Sequence, residues 1–147
     1  MPSLQDRLSA ELITARKAQD KPLTLLLGTI LSDIRNREIE LRRTPTDDEV
    51  IEVMRKGVKK RRESIAMYTQ AGRTELAAQE TAEVAALERF LPAVATDEEI
   101  RTAVRATIAA GASGVGPVMA KVMALFKGRA EGGTINRIVR EELGKAE

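Results

Sequence analysis

Cysteine and histidine are absent from the 147 residues, and the aromatics number three: Tyr68, Phe90 and Phe126. These absences remove a disulfide framework, a zinc centre of the Cys/His type, a cysteine nucleophile and any triad built on an imidazole base. Three aromatics cannot supply both a core and a base-stacking platform. What is left is a helical binding module, or an enzyme working with Asp, Glu, Lys, Arg, Ser or Thr alone. Long hydrophobic runs are missing as well. The most apolar stretch, Leu23 to Leu31, is too short to cross a bilayer and is soon followed by Asp33 and Arg35. The opening Met-Pro-Ser-Leu-Gln-Asp-Arg-Leu carries an acid and an amide where a signal peptide needs an uninterrupted apolar segment. A cytoplasmic protein with no membrane partner is the expectation. A large charge imbalance is also lacking: 24 basic residues against 22 acidic ones leave +2, so an anionic partner has to be met by local clustering.

What the chain does have is helix. Ala, Leu, Glu, Arg and Lys dominate, and apolar residues recur at three- and four-residue spacing. The punctuation predicts seven segments and an all-α fold. Ser3 starts a first helix running to about Gln19, with Leu4, Leu8, Leu12 and Ala15 inward. Asp20 and Pro22 open a second, striped by Leu23, Leu26, Leu27, Ile30, Ile34 and Leu41, which Thr44-Pro45 ends. Thr46-Asp-Asp-Glu49 has the capping-box pattern and opens a helix to Ala71, stopped by Gly72. Its inner row is Ile51, Met54, Val58, Arg61, Ile65 and Tyr68. A fourth helix from Thr74 to Phe90 turns Leu76, Val84, Leu87 and Leu91 inward. Leu91-Pro92 marks the expected boundary between an N-terminal four-helix region, 1–92, and a C-terminal three-helix domain, 93–147. The second has helices from Thr96 to Gly111, Pro117 to Phe126 and Thr134 to Leu143, with Gly111–Pro117 and Lys127–Gly133 as glycine-rich turns. Met119 and Met123 sit at helical spacing and read as core filler.

Two basic groups stand out. Arg55-Lys-Gly-Val-Lys-Lys-Arg-Arg62 holds six basic residues and no acid in eight positions, and helical spacing lines up Arg55, Lys59 and Arg62. This stripe suits phosphates. It equally suits an ion-paired face: a hairpin about Gly72 brings Arg61 level with Glu83, Lys56 with Glu88 and Ser64 with Glu80. The second group is Lys121, Lys127 and Arg129 with Arg137 and Arg140 on the last helix. Gly128 and Gly132 there permit close approach of an anion to the backbone, and Asn136 offers a hydrogen bond to a ribose or to the loop itself. The carboxylates Glu80, Glu83, Asp47, Asp48, Glu98 and Glu99 are accounted for by caps and by the basic stripe. Gly111–Gly116 lacks the Gly-Lys-Ser/Thr ending of a nucleotide loop. No catalytic residue, cofactor or metal site is therefore assigned.

Lys127-Gly-Arg-Ala-Glu-Gly132, followed by Ile135-Asn136 and Val139, resembles the closing signature of the YqeY family, which is also the tail of GatB, the tRNA-binding subunit of the bacterial Asp/Glu-tRNA amidotransferase. Leu31-Ser-Asp-Ile-Arg-Asn-Arg-Glu-Ile39, Arg62-Glu-Ser-Ile65, Ala71-Gly-Arg73 with Leu76, and Glu83 through Leu87-Glu-Arg-Phe-Leu-Pro92 are similar to the same family in the same order. The chain departs from the family at Pro117, in Gly116-Pro-Val-Met119, where a lysine is common, and at Glu131, where aspartate is usual. The resemblance implies an all-helical, two-part protein that grips tRNA without a catalytic centre. The family's link to carbon–nitrogen ligases using glutamine as amide donor implies kinship, with no active site for that reaction here. The resulting expectation is a module binding tRNA or another structured RNA through Lys121, Lys127, Gly128, Arg129, Gly132, Asn136, Arg137 and Arg140, with Arg55, Lys59 and Arg62 as a secondary stripe. It requires the C-terminal cations to be free of internal acids. The alternative is a protein-interaction adaptor of a tRNA-aminoacylation or amidotransferase complex.

Overall fold

In the computed structural model, which describes residues 1–146, hydroxyl and carboxylate side chains set the helix starts. The order is α1 (Leu4–Lys17), α2 (Lys21–Leu41), α3 (Asp47–Gln70), α4 (Thr74–Glu88), α5 (Asp97–Ala109), α6 (Val115–Leu125) and α7 (Gly132–Ala146). The protein is all-helical, and no strand occurs among the described residues. Ser3 Oγ accepts from the Asp6 N–H at 3.1 Å and Asp20 Oδ1 from the Leu23 N–H at 3.1 Å. At Thr46 the capping box is complete: its hydroxyl accepts from the Glu49 N–H while Glu49 Oε1 accepts from the Thr46 N–H. Each such cap holds about 1 kcal/mol. The Arg42 residue ends α2 in the left-handed conformation (φ 57°, ψ 31°), its N–H returning to the Glu38 carbonyl. Between α3 and α4, Gly72 takes φ +73°.

The chain divides into two units, one up to Leu91 and one from Pro92. In the first, Leu8, Leu27, Ile30, Ile34, Met54 and Leu87 are fully buried, so α1–α4 share one core. The N–H of Leu4 donates to Asp47 Oδ1 at 3.0 Å and ties the start of α1 to that of α3. Gly57 is what lets α2 approach: a Cβ there would stand 3.2 Å from Ile30 Cδ1 and 3.3 Å from Arg61 Nη1. In the second unit, Ile100, Val104, Val118, Val122, Ile135, Ile138 and Val139 from all three helices bury one another. Full burial of each such side chain stabilises by about 1.5–3 kcal/mol.

Several expectations need correction. Leu76 is 36% exposed, and Ala77 takes the inward place. Met123 is 45% exposed, so it is not core filler. The α6 helix begins at Val115 rather than Pro117; the proline sits inside its first turn, where a missing N–H leaves no bond unmade. Likewise α7 begins at Gly132 rather than Thr134. The Ile135 N–H reaches the Glu131 carbonyl at 3.2 Å, and burial of Ile135 in the core holds that extra turn.

Candidate nucleic-acid interface

Charge must be free as well as present to attract a polyanion. In the C-terminal group it is largely not free. Arg129 lies in the turn between α6 and α7, where its carbonyl accepts from the Ala95 N–H at 2.8 Å. Its guanidinium donates to the Ala93 carbonyl at 3.1 Å, reaches Glu99 Oε2 at 2.9 Å and stands 5.8 Å from the Phe126 ring centre. The guanidinium of Arg137, from α7, joins Asp97 Oδ2 at 2.8 Å and Glu141 Oε1 at 3.0 Å, and these partners raise its pKa, the Asp97 bond most. Asp97 and Glu99 both belong to the first turn of α5. Those acids favour that turn because they face the positive end of the helix dipole. They then lie where they neutralise the two arginines.

The other members fare differently. Arg140 Nε donates to Asn136 Oδ1 at 2.9 Å, so Asn136 is used inside the molecule while Arg140 keeps its charge. Lys121 is exposed on α6 and forms no ion pair among the described residues. Lys127 and Gly128 have interactions of their own, Gly128 at φ +77°. Gly132 is a helical residue facing the Met123 methyl, 3.6 Å from where its Cβ would be, rather than an open loop glycine. The expected free cationic corner is thus reduced to Lys121 and Arg140, with two of its arginines held by internal acids.

Residues outside the expected set build the strongest electrostatic feature of this unit. Glu142, only 6% exposed, accepts from Arg101 at 2.8 Å and from Arg105 at 3.0 Å, with Lys145 at 3.4 Å. The bonds from Arg105 and then Arg101 bring its carboxyl down to about 2. The sequence carries a trace of this: Arg101 and Arg105 stand four apart on α5, hence on one face, and Glu141-Glu142 falls in the last turns of α7. Which face meets which is tertiary information.

The N-terminal stripe sorts itself by residue type. Arg61, on the inner row of α3, donates through Nε to Glu83 Oε2 at 2.9 Å and through Nη1 to the Gly57 carbonyl at 3.1 Å, which matches the hairpin register. Glu88 pairs with Arg62 rather than with Lys56. Arg62 and Arg55 are the stripe residues that interact with Glu88, and Lys56 is exposed. Arg55 has partners too. Partial burial lowers its guanidinium pKa, Glu88 opposes that, and Arg62 adds to it. Lys56, Lys59 and Lys60 are exposed and form no ion pair among the described residues. Glu52 and Glu63 stand one turn before and after them, also without pairing to them.

Among the described residues no group of three acids is placed to hold a metal ion, and no helix is long and apolar enough to cross a membrane. Comparison with known proteins completes the picture. An uncharacterized fission-yeast (Schizosaccharomyces pombe) protein, C22F3.15, is 30% identical over 92 residues, 63% of this chain and 75% of its own. A protein of Pyrenophora tritici-repentis named "Altered inheritance of mitochondria protein 41, mitochondrial" is 26% identical over 145 residues, 94% of this chain and 80% of its own. The family model described as Yqey-like protein matches residues 5–143, and the chain therefore belongs to the YqeY family.

Proposed function

We propose that this protein is a non-catalytic helical module that holds structured RNA, tRNA among the candidates, by its phosphates. The observation that carries the reading is the row Lys56, Lys59 and Lys60, exposed and without acid partners while the arginines beside it are drawn onto α4. Lysine ammonium groups on a helix surface act as point charges toward a phosphate backbone and read no base sequence. Lys121 and Arg140 add a smaller contribution from the second unit. Arg129 and Arg137, held by Glu99, Asp97 and Glu141, do not contribute in this reading. A compartment containing RNA suits this role, whether the cytoplasm or the mitochondrion that the Pyrenophora relative's name gives that protein.

Filter binding of total tRNA at two salt concentrations tests it. The expected result is an affinity of the intact protein that falls steeply with salt, with most of that dependence abolished in Lys56→Ala/Lys59→Ala/Lys60→Ala. Absence of binding at low salt, or binding insensitive to salt, overturns the reading. A second reading is an adaptor in an aminoacylation or amidotransferase assembly. A protein partner that survives nuclease treatment in a pull-down supports that reading, and one that vanishes supports RNA.

A further inference from the structure

The end of α2 carries a feature that the lysine row does not use. Arg35, Glu38, Ile39, Arg42, Arg43 and Thr44 line an open groove of about 510 Å³. Arg35 stands one helical turn before Ile39, and Arg42, in the left-handed cap just past the end of α2, lines the same groove. Ile39 is 68% exposed. Neither Arg35 nor Arg42 forms an ion pair among the described residues. Arg43 is already engaged: it donates to both Glu49 oxygens at 2.8 and 3.1 Å and to the Thr44 carbonyl at 3.2 Å. Arg42 occupies a left-handed position where glycine or asparagine would be less strained.

We propose that this groove docks an acidic amphipathic helix of a partner protein. An apolar residue of that helix seats on Ile39, and carboxylates one turn to either side meet Arg35 and Arg42. Charge complementarity and composition point to protein rather than RNA. A large exposed apolar side chain sharing a groove with arginines has the make-up of interface anchors, in which arginine is enriched and lysine depleted. Arginine's planar fork also matches a carboxylate bidentately. Glu38, the one acid in the lining, disfavours a carboxylate directly opposite and so helps set the register. The inference is independent of RNA binding by α3.

The test is fluorescence anisotropy with two labelled helical peptides of about four turns. One has leucine flanked by glutamates a turn away on each side, and the other has lysines in their place. The glutamate peptide binds saturably, and the lysine peptide does not. Arg35→Ala/Arg42→Gly and, separately, Ile39→Ser each weaken binding about tenfold or more. Glycine keeps the left-handed turn at position 42 and position 39 is exposed, so neither variant is expected to melt at a lower temperature. No saturable binding by the glutamate peptide, equal binding of the two peptides, or equal binding by Ile39→Ser overturns the proposal. A loss of tRNA affinity in Arg35→Ala/Arg42→Gly, with none in Ile39→Ser, also overturns it, because it assigns the arginines to phosphate.

Discussion

The α3 stripe and the C-terminal basic group look alike as strings of letters, yet they differ as surfaces. In both, several arginines are paired with carboxylates: Arg61 with Glu83, Arg62 with Glu88, Arg129 with Glu99, and Arg137 with Asp97 and Glu141. Lysines at 56, 59, 60 and 121 take none. The stripe has three such lysines in a row and the C-terminal group one, so the denser cluster keeps more free charge even though α4 faces it with glutamates. The number of basic residues in a segment therefore sets an upper limit on free charge. The acids that the facing helix presents set the actual value.

The comparison can be broken most forcefully at Glu142. Its replacement by alanine leaves Arg101, with a side chain only 16% exposed, stripped of its shortest ion pair. Thermal unfolding of Glu142→Ala followed by circular dichroism should show a larger loss of stability than Glu88→Ala, whose partner Arg62 is 61% exposed and whose loss should stay within about 1 kcal/mol. Equal losses would mean that the two units treat their charges alike.

Acid should discriminate next. The carboxyls of Glu142 and Glu49 lie near 2 in the folded protein, lowered by Arg105 and Arg101 in one case and by Arg43 and the Thr46 N–H in the other. A carboxyl lowered on folding stabilises fully above its unfolded value near 4.5, and that contribution disappears as pH falls from there toward 2. Stability measured by denaturant titration should decline through that window, and Glu142→Gln or Glu49→Gln should each flatten the decline. A decline unchanged in both variants would place its cause elsewhere. The smallest effect is expected from Lys121→Ala/Arg140→Ala, which should lower the magnitude of the salt slope of tRNA binding by about 2. A change as large as that of the lysine-row variant would return the principal contact to the C-terminal unit.

Much of the fold was legible. Ser3, Asp20, Thr46 and Thr96 start helices for a local reason, a side-chain oxygen within reach of an N–H two or three residues on, and sequence spacing contains all of it. The stripe Leu26, Leu27, Ile30 and Ile34 was equally plain, because periodicity alone turns it inward. Where two residues compete for one direction, as Leu76 and Ala77 do, the facing surface decides, and the sequence shows no facing surface. The early starts of α6 and α7 were hidden for the same reason: glycine and proline argue for loop locally, while Val118 and Ile135 pull the turns into the core. Of the candidate site, Arg61 to Glu83 was legible from hairpin register. Arg137 to Asp97, Arg129 to Glu99 and Glu142 with its arginines were not, since their partners lie 30 to 41 residues away.

The central claim is that the usable positive charge lies on the α3 lysines and not on the paired C-terminal arginines. Salt-dependent tRNA binding of Lys56→Ala/Lys59→Ala/Lys60→Ala measured beside Arg129→Ala/Arg137→Ala tests this directly. The lysine variant should lose about 3 from the magnitude of the slope of log affinity against log salt, and the arginine variant should keep the slope of the intact protein. The reverse order, with the arginine variant losing the slope and the lysine variant retaining it, would contradict the account.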